Sequence, residues 1–396
     1  MPPENRVLIA GAGLAGLAAA SSLRAAGLPT TVYERASELL PAGAVVSVMA
    51  SAAAGLERAG LGQLVEDVCV PVQRLDYLDW KGRYLAHMPI AEVAETLGTQ
   101  AYITLRSDMQ LGMYERLGQE VVQLGATCTG FDQDDRGVTV KLADGREERG
   151  AALLGADGIR SAIREQLLGD APRYAGYSGW RGLATMETPP LEPGFGKQVG
   201  GRGRTWGAFA LRGNRVYWFS SAKMEEGLGD SPDGRKEDVR QTFAGAPDWV
   251  LAVIEATPES EILRHDIYDR PPVKRWGEGR VTMIGDAAHA TTPNTGQGGS
   301  HALLDGVIVG EALASIAASL DDASAVRGVF ERYEQQRVPQ TSKVVKEAGM
   351  VGTMVHFKNP LACLIRDRIL YKRTPKRTWR KRASAYLESG VPDQPG

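Results

Sequence analysis

Cysteine, histidine, net charge and long apolar runs are all in short supply in this chain of 396 residues. Cys69, Cys128 and Cys363 stand far apart in the chain, so neither a disulfide framework nor a cysteine metal site is expected. The five histidines, His87, His265, His289, His301 and His356, lack the spacing of metal ligands, and no metal is expected. A formal net charge of -2 gives no electrostatic footprint for nucleic acid. No uninterrupted apolar run is long enough to span a bilayer, which argues against stable membrane insertion. The apolar residues 7–23 do not read as a secretory signal either, because Glu4 and a single arginine, Arg6, precede or border them. The cytoplasm is the expected compartment. What remains, 43% hydrophobic and 24% charged residues, is the composition of a globular protein long enough for two domains.

What the chain does have is glycine in two significant places. Arg6-Val7-Leu8-Ile9-Ala10 is an apolar run of strand length. It is followed by Gly11-Ala12-Gly13-Leu14-Ala15-Gly16, then by Leu17-Ala18-Ala19-Ala20-Ser21-Ser22-Leu23, which has helical composition. Glycine suits such a strand-turn-helix because the chain turns tightly, the backbone approaches a pyrophosphate, and the helix packs close to the strand. The helix amino end then offers free N–H groups and a positive dipole end to the phosphates. A second strand, Thr30-Thr31-Val32-Tyr33, ends at Glu34, where a carboxylate is placed to accept hydrogen bonds from ribose hydroxyls.

The second glycine cluster selects the dinucleotide. Arg280-Val281-Thr282-Met283-Ile284 reads as a strand ending in Gly285-Asp286, and Pro293-Asn294-Thr295-Gly296-Gln297-Gly298-Gly299 as a loop feeding a helix over residues 300–320. Asp286, at the carboxyl end of a strand, is placed to hold ribityl hydroxyls. The N–H groups of Gly298, Gly299 and Ser300 would point toward N1 and the C2 carbonyl of a flavin and stabilise its reduced, anionic form. Both clusters together describe one FAD gripped at two ends.

With these motifs the sequence resembles the class A flavoprotein monooxygenases, the FAD-dependent aromatic hydroxylases that include salicylate, 6-hydroxynicotinate and 4-hydroxybenzoate hydroxylases and the related zeaxanthin epoxidases. The resemblance covers most of residues 5–345. Gly155-Ala156-Asp157-Gly158-Ile159-Arg160-Ser161, with Arg164 beyond it, is similar to the family's DG motif. That likeness implies that Asp157 serves FAD and that Asp157 and Arg160 meet NAD(P)H. Glu34-Arg35 is similar to the family's acid-arginine pair, Arg106 to an arginine that reaches the flavin cofactor, and Gly179-Trp180-Arg181-Gly182 to the segment opening the substrate domain. Two departures, Ala50-Ser51 in place of a Pro-Asn pair and Leu304-Asp305-Gly306 in place of Glu-Asp-Ala, fall in the flavin surroundings. They leave the substrate class open.

The resemblance implies an α/β fold: a Rossmann-like FAD-binding domain, an inserted antiparallel-sheet substrate domain and a C-terminal helical segment. The FAD-binding domain is expected from residues 1–75, 98–172 and 275–350, the substrate domain from 76–97 and 173–274, and a C-terminal helix with a basic tail from 351–396. Within these, a helix is expected near 109–124, a hairpin at Ala143-Asp144-Gly145, and another across Gly213-Asn214. Trp180, Trp206, Tyr217 and Trp218 are candidates for the substrate pocket, although alternation turns about half of any strand away from it. From residue 372 to residue 382 seven of eleven residues are basic, after the apolar Pro360-Leu361-Ala362-Cys363-Leu364-Ile365. This tail reads as the solvated end of a packed helix, with weak contact to an anionic membrane surface as the other reading.

Function follows from the same resemblance: NADPH or NADH reduces FAD, O2 gives a flavin C4a-hydroperoxide, and one oxygen passes to an aromatic or polycyclic small molecule. Oxygenation of a lipophilic terpenoid or polyketide, and a flavin oxidase or reductase without oxygen insertion, stay open as alternatives. His301, in the first turn of the glycine-rich helix, is a candidate base because imidazole titrates near neutrality, and Arg181 a candidate for steering an acidic substrate. Neither is assigned as the catalyst. Monomer and homodimer are both open.

Overall fold

The computed structural model describes residues 5–39 and 44–390; residues 40–43 and the outer ends of the first and last expected segments lie outside the described residues. Five parallel strands form one sheet in the order Val281–Met283, Ala152–Gly155, Val7–Ala10, Thr30–Tyr33, Val122–Gln123. The three inner strands are buried along their whole length, as parallel strands covered on both faces are. The first helix, Leu14–Ala25, packs against the glycine-rich helix Gly298–Ala314. Their approach is close: a Cβ on Gly306 would lie 2.3 Å from the carbonyl oxygen of Ala15. A small antiparallel sheet, Cys128–Asp134, Gly137–Leu142 and Glu147–Gly150, contains the hairpin turn at Gly145.

Over this α/β layer lies a seven-stranded sheet, ordered Leu263–Asp269, Arg173–Thr185, Arg215–Ala222, Arg204–Ala210, Phe195–Gly200, Arg74–Asp79, Tyr84–Met88. All but one of its pairings are antiparallel. The hairpin joining Arg204–Ala210 to Arg215–Ala222 turns at Gly213-Asn214, both with positive φ (70° and 56°), the backbone that a tight hairpin of right-handed twist requires. The architecture is thus a Rossmann-like layer carrying an antiparallel sheet.

The helix expected near 109–124 is shifted. It runs Arg106–Leu117 and stops at Gly118, whose φ is +78°, after which Val122–Gln123 joins the parallel sheet. Likewise, the glycine-rich helix starts at Gly298 and ends at Ala314 rather than running to residue 320. A 33-residue helix, Ala323–Val355, leads to the short helix Pro360–Ile365, a π-helical turn Arg366–Lys372, and the tail helix Lys376–Leu387.

Candidate active site

The amino end of the first helix is shaped by glycine at two points. Gly11 has φ +104°, and a Cβ there would sit 2.4 Å from the Ala156 carbonyl oxygen; one on Gly16 would sit 2.0 Å from the Gly11 carbonyl oxygen. The turn therefore closes onto both its own helix and the neighbouring strand. No side chain caps the helix at Gly13, and the Arg106 guanidinium lies 3.7 Å from where a Gly13 Cβ would be. A helix amino end and an arginine thus face the same space, an arrangement suited to an anion.

Glu34 binds this loop rather than standing free. Its carboxylate accepts from the Ala12 N–H at 2.7 Å and from the Ala36 N–H at 3.0 Å, and retains lone pairs for a ribose. Gln110, which the sequence did not single out, holds the other side of Ala12 by donating to its carbonyl at 2.7 Å. Arg35 is exposed.

The second fingerprint lies across the cavity. Asp286 follows Gly285 at the end of strand Val281–Met283; it is exposed to the cavity and has no hydrogen-bond partner among the described residues. The short helix it opens, Asp286–His289, is anchored by Arg164, which is fully buried and donates to the carbonyls of Ala287 and Ala288 at 2.9 and 2.7 Å. Arg164 and Arg270 both pair with Asp170 at 2.6 Å, and hydrogen bonding from Arg164 holds the Asp170 carboxyl below the ordinary carboxylate range.

Asp157 is tied into its own segment by one oxygen, while the other is buried with no partner among the described residues. The first oxygen accepts from the N–H groups of Ala162 and Ile163 at 2.8 and 3.3 Å, capping helix Ala162–Leu168, and the side chain is outside the cavity lining. Its immediate role is to hold the DG segment. Arg160, in contrast, is exposed at the cavity and lies over the Tyr268 ring at 5.8 Å.

Gly298 and Gly299 open the glycine-rich helix with no side-chain cap at Gln297, so their N–H groups are available to a ligand. A Cβ on Gly299 would lie 2.3 Å from Val46 Cγ2, and so glycine lets strand Val45–Val48 close against the helix. The Ser300 hydroxyl, however, accepts from the Met49 N–H at 3.0 Å and is buried. Pro293 and Gly296 shape the preceding 3-10 turn, Gly296 with φ +67°.

On the buried side of this helix Asp305 is a hub that sequence reading named only as the middle of Leu304-Asp305-Gly306. It accepts from the Gly285 N–H at 3.0 Å, from His289 Nε2 at 2.5 Å and from Arg337 Nε at 2.7 Å, and both Asp305 and Arg337 are fully buried. Burial opposes its ionisation, but Arg337 and His289 prevail and hold its carboxyl below the ordinary range. Arg337 also donates to His301 Nδ1 at 2.8 Å. Because a guanidinium only donates, His301 must carry its proton on Nε2, which meets the Ser389 hydroxyl at 3.0 Å; that hydroxyl in turn donates to Gln297 Oε1 at 2.7 Å. Burial first, then the Arg337 charge, lower the His301 pKa to about 3. With its lone pair engaged by Arg337, His301 is poorly suited to the role of base.

The seven-stranded sheet divides its side chains by alternation. Trp206 and Trp218 correct the pocket expectation: both are fully buried on the far face, with Phe243 and Val250 from the helices that cover it. Trp180 borders the cavity but packs its ring edge-on to Phe243 in that same layer. The cavity face carries Arg181, Gln198, Phe209, Tyr217, Phe219 and His265. Phe219 lies over Gly207 and Phe209 over Gly196, each cross-strand partner lacking the Cβ that would collide with the ring. His265 opens onto the cavity, yet the protein around it and then the Arg181 charge lower its pKa to about 4. The cavity spans about 1870 Å³. A pocket for one drug-sized ligand holds roughly 300–1,000 Å³, so there is room for a large cofactor with a second molecule beside it.

The tail helix closes one side. Trp379 stacks on Tyr77 with ring centroids 5.1 Å apart, Ala383 and Leu387 are fully buried, and Tyr386 and Arg382 line the cavity. The spacing Trp379, Ala383, Leu387 is the four-residue repeat of a buried helix stripe, a signal in the sequence masked by the surrounding basic residues.

Comparison with known proteins accords with this geometry. Residues 4–348 match the family model described as FAD binding domain. Aurachin C monooxygenase/isomerase of Stigmatella aurantiaca is 35% identical over 92% of this chain and 93% of its own length, and an FAD-dependent urate hydroxylase of Klebsiella pneumoniae is 33% identical over 89% and 91%. The chain belongs to the class A FAD-dependent monooxygenases. Among solved structures, the Klebsiella pneumoniae HpxO complexed with FAD and uric acid superposes on this monooxygenase with a TM-score of 0.87 at 29% identity, over 97% of each chain.

The residues of this monooxygenase fit FAD on three independent observations. They are the uncapped helix end facing Arg106, the unpartnered Asp286, and the free N–H groups at Gly298 and Gly299, all bordering one cavity.

Proposed function

We propose that this FAD-dependent monooxygenase hydroxylates an aromatic or polycyclic small molecule, using NADPH or NADH and O2. The observation that carries the proposal is the cavity face of the seven-stranded sheet: Phe209, Tyr217 and Phe219 line the same space as Asp286 and Gly298. Flat apolar walls with a few polar groups suit an aromatic substrate. The urate hydroxylase and the 3-amino-4-hydroxybenzoate 2-monooxygenase PtmB3 of Streptomyces platensis, 32% identical to this chain, support it by the substrates in their names.

Bound FAD supplies the redox chemistry, passing electrons from the nicotinamide to O2 so that one oxygen atom enters the substrate and the other leaves as water. The protein's residues bind and orient. Gly11 to Gly16, Glu34 and Arg106 would hold the adenosine diphosphate portion, Asp286 the ribityl chain, and the N–H groups of Gly298 and Gly299 the pyrimidine edge. Arg160 meets the nicotinamide nucleotide from the cavity rim, with Asp157 acting through the helix it caps. Arg181 steers an anionic substrate group, beside a His265 that is neutral at pH 7 and so acts as a hydrogen-bond partner, not a charge. Trp379 and Tyr386 keep bulk water from the reacting atoms.

Oxygenation of a lipophilic terpenoid or polyketide is the second reading, favoured by Met350, Met354 and Leu370 where they line the cavity. A panel of phenols, indoles, N-heterocycles and terpenoids separates the readings. A member that accelerates NAD(P)H oxidation with little peroxide released names the substrate class. Oxidation that is insensitive to every member and yields stoichiometric peroxide establishes an oxidase or reductase instead.

A further inference from the structure

The segment between the long helix and the tail helix is built inside out. In Pro360–Ile365 and the π-helical turn Arg366–Lys372, the residues turned into the protein are Cys363 and Arg366, whereas Leu361, Leu364, Ile365, Ile369 and Leu370 are exposed. Arg366 is 2% exposed and donates to the carbonyls of Gly201 and Val355 at 3.0 and 3.2 Å and to Asp367 at 2.7 Å. Positions 361, 364, 365 and 369 recur every three or four residues and share one helix face. A surface helix ordinarily turns its aliphatic stripe to the core. Here the stripe faces out, while an arginine takes the inward place.

The exposed stripe is not scattered greasiness. Ten large hydrophobic residues are exposed among the described residues, and six of them, including Met350, lie between residues 350 and 370. Cations follow at once: Lys372, Arg373, Lys376, Arg377 and Lys381 are exposed and make no ion pair among the described residues, whereas Arg380 pairs with Glu92. Aliphatic side chains beside unpaired cations form the chemistry of an element that lies in the interface of an anionic bilayer.

We propose that this face docks on an anionic lipid surface, with Leu361, Leu364, Ile365 and Ile369 entering the headgroup boundary and the basic residues meeting lipid phosphates. A second copy of the chain is the weaker occupant, because a two-fold interface would place the same cations against each other. Met350, Leu370, Tyr371 and Arg382 also line the cavity, so the docking face lies beside its opening. Given the proposed oxygenation, a lipophilic substrate would then pass from bilayer to cavity without crossing water.

Co-sedimentation of the FAD-loaded enzyme with vesicles tests this without turnover, and so independently of the proposed reaction. Vesicles of phosphatidylcholine with phosphatidylglycerol should carry the enzyme down, phosphatidylcholine alone far less, and added salt should weaken the difference. The pair Leu364→Ser with Ile369→Ser, and separately the pair Lys376→Glu with Arg377→Glu, should each weaken binding at least roughly tenfold with the flavin spectrum unchanged. Leu168→Ser, an exposed aliphatic outside the patch, should leave it unaltered. Absence of sedimentation, equal binding to both vesicle types, or a loss of self-association in the serine pair in place of a loss of vesicle binding would overturn the proposal.

Discussion

Asp286 and Asp305 are two carboxylates of one fingerprint region with opposite surroundings. Asp286 is open and unpartnered, so its removal costs ligand, not fold. Asp286→Ala should weaken FAD retention roughly tenfold or more, the scale of a hydrogen bond to a charged group, with circular dichroism and unfolding midpoint of the apoprotein unchanged. Asp305, in contrast, neutralises the buried Arg337. The same network makes stability depend on pH through His301. Its folded pKa, about 3, lies below the ordinary imidazole value near 6.5, so its contribution is fully present above pH 6.5 and is lost as pH falls from there toward 3. His356, lowered mainly by burial to about 4, acts in the same direction. Urea unfolding should show stability falling by at most about 1.4 kcal/mol per pH unit for each such group. His301→Gln should flatten that dependence; an unchanged slope would show that the ring is not held neutral.

At the scale of elements, the tail helix is the part of the site with most to test. It covers the cavity through Trp379 and Tyr386, and Ser389, just beyond its end, joins it to Gln297 and His301 at the start of the glycine-rich helix. Trp379→Ala with Tyr386→Ala should open this side to water. The expected result is a larger fraction of NAD(P)H oxidation ending as peroxide, with FAD affinity retained, measured by peroxide yield per nicotinamide consumed. Both glycine fingerprints were legible in the sequence because each is local: strand, turn and helix follow one another within about twenty residues. The face of the seven-stranded sheet was not. Period two separates Trp180 and Trp218 from Arg181 and Phe219, but which set meets the cavity is decided by helices Arg235–Thr242 and Asp248–Ala256 covering the other face. The Arg106–Leu117 helix was misplaced for a related reason, since its apolar residues continue past Gly118 into a strand that tertiary pairing creates. Asp305 escaped notice because its partners, Gly285, His289 and Arg337, are brought together only by packing.

Across the whole molecule, many separated stretches of chain converge on one cavity, with the parallel sheet beneath, the antiparallel sheet above and the C-terminal helices at the side. No helix among the described residues is long and apolar enough to cross a membrane. The arrangement sets Phe209, Tyr217 and Phe219 in the same cavity as Asp286 and Gly298, with the exposed aliphatic and basic residues at one side of it. Oxygen transfer is the central claim, and the most direct measurement is mass spectrometry of the product formed under isotopically labelled O2 with the panel member that best accelerates NAD(P)H oxidation. One labelled oxygen atom in the product for each NAD(P)H consumed is the expected result. Label confined to peroxide or water, with an unlabelled product or none, would contradict it.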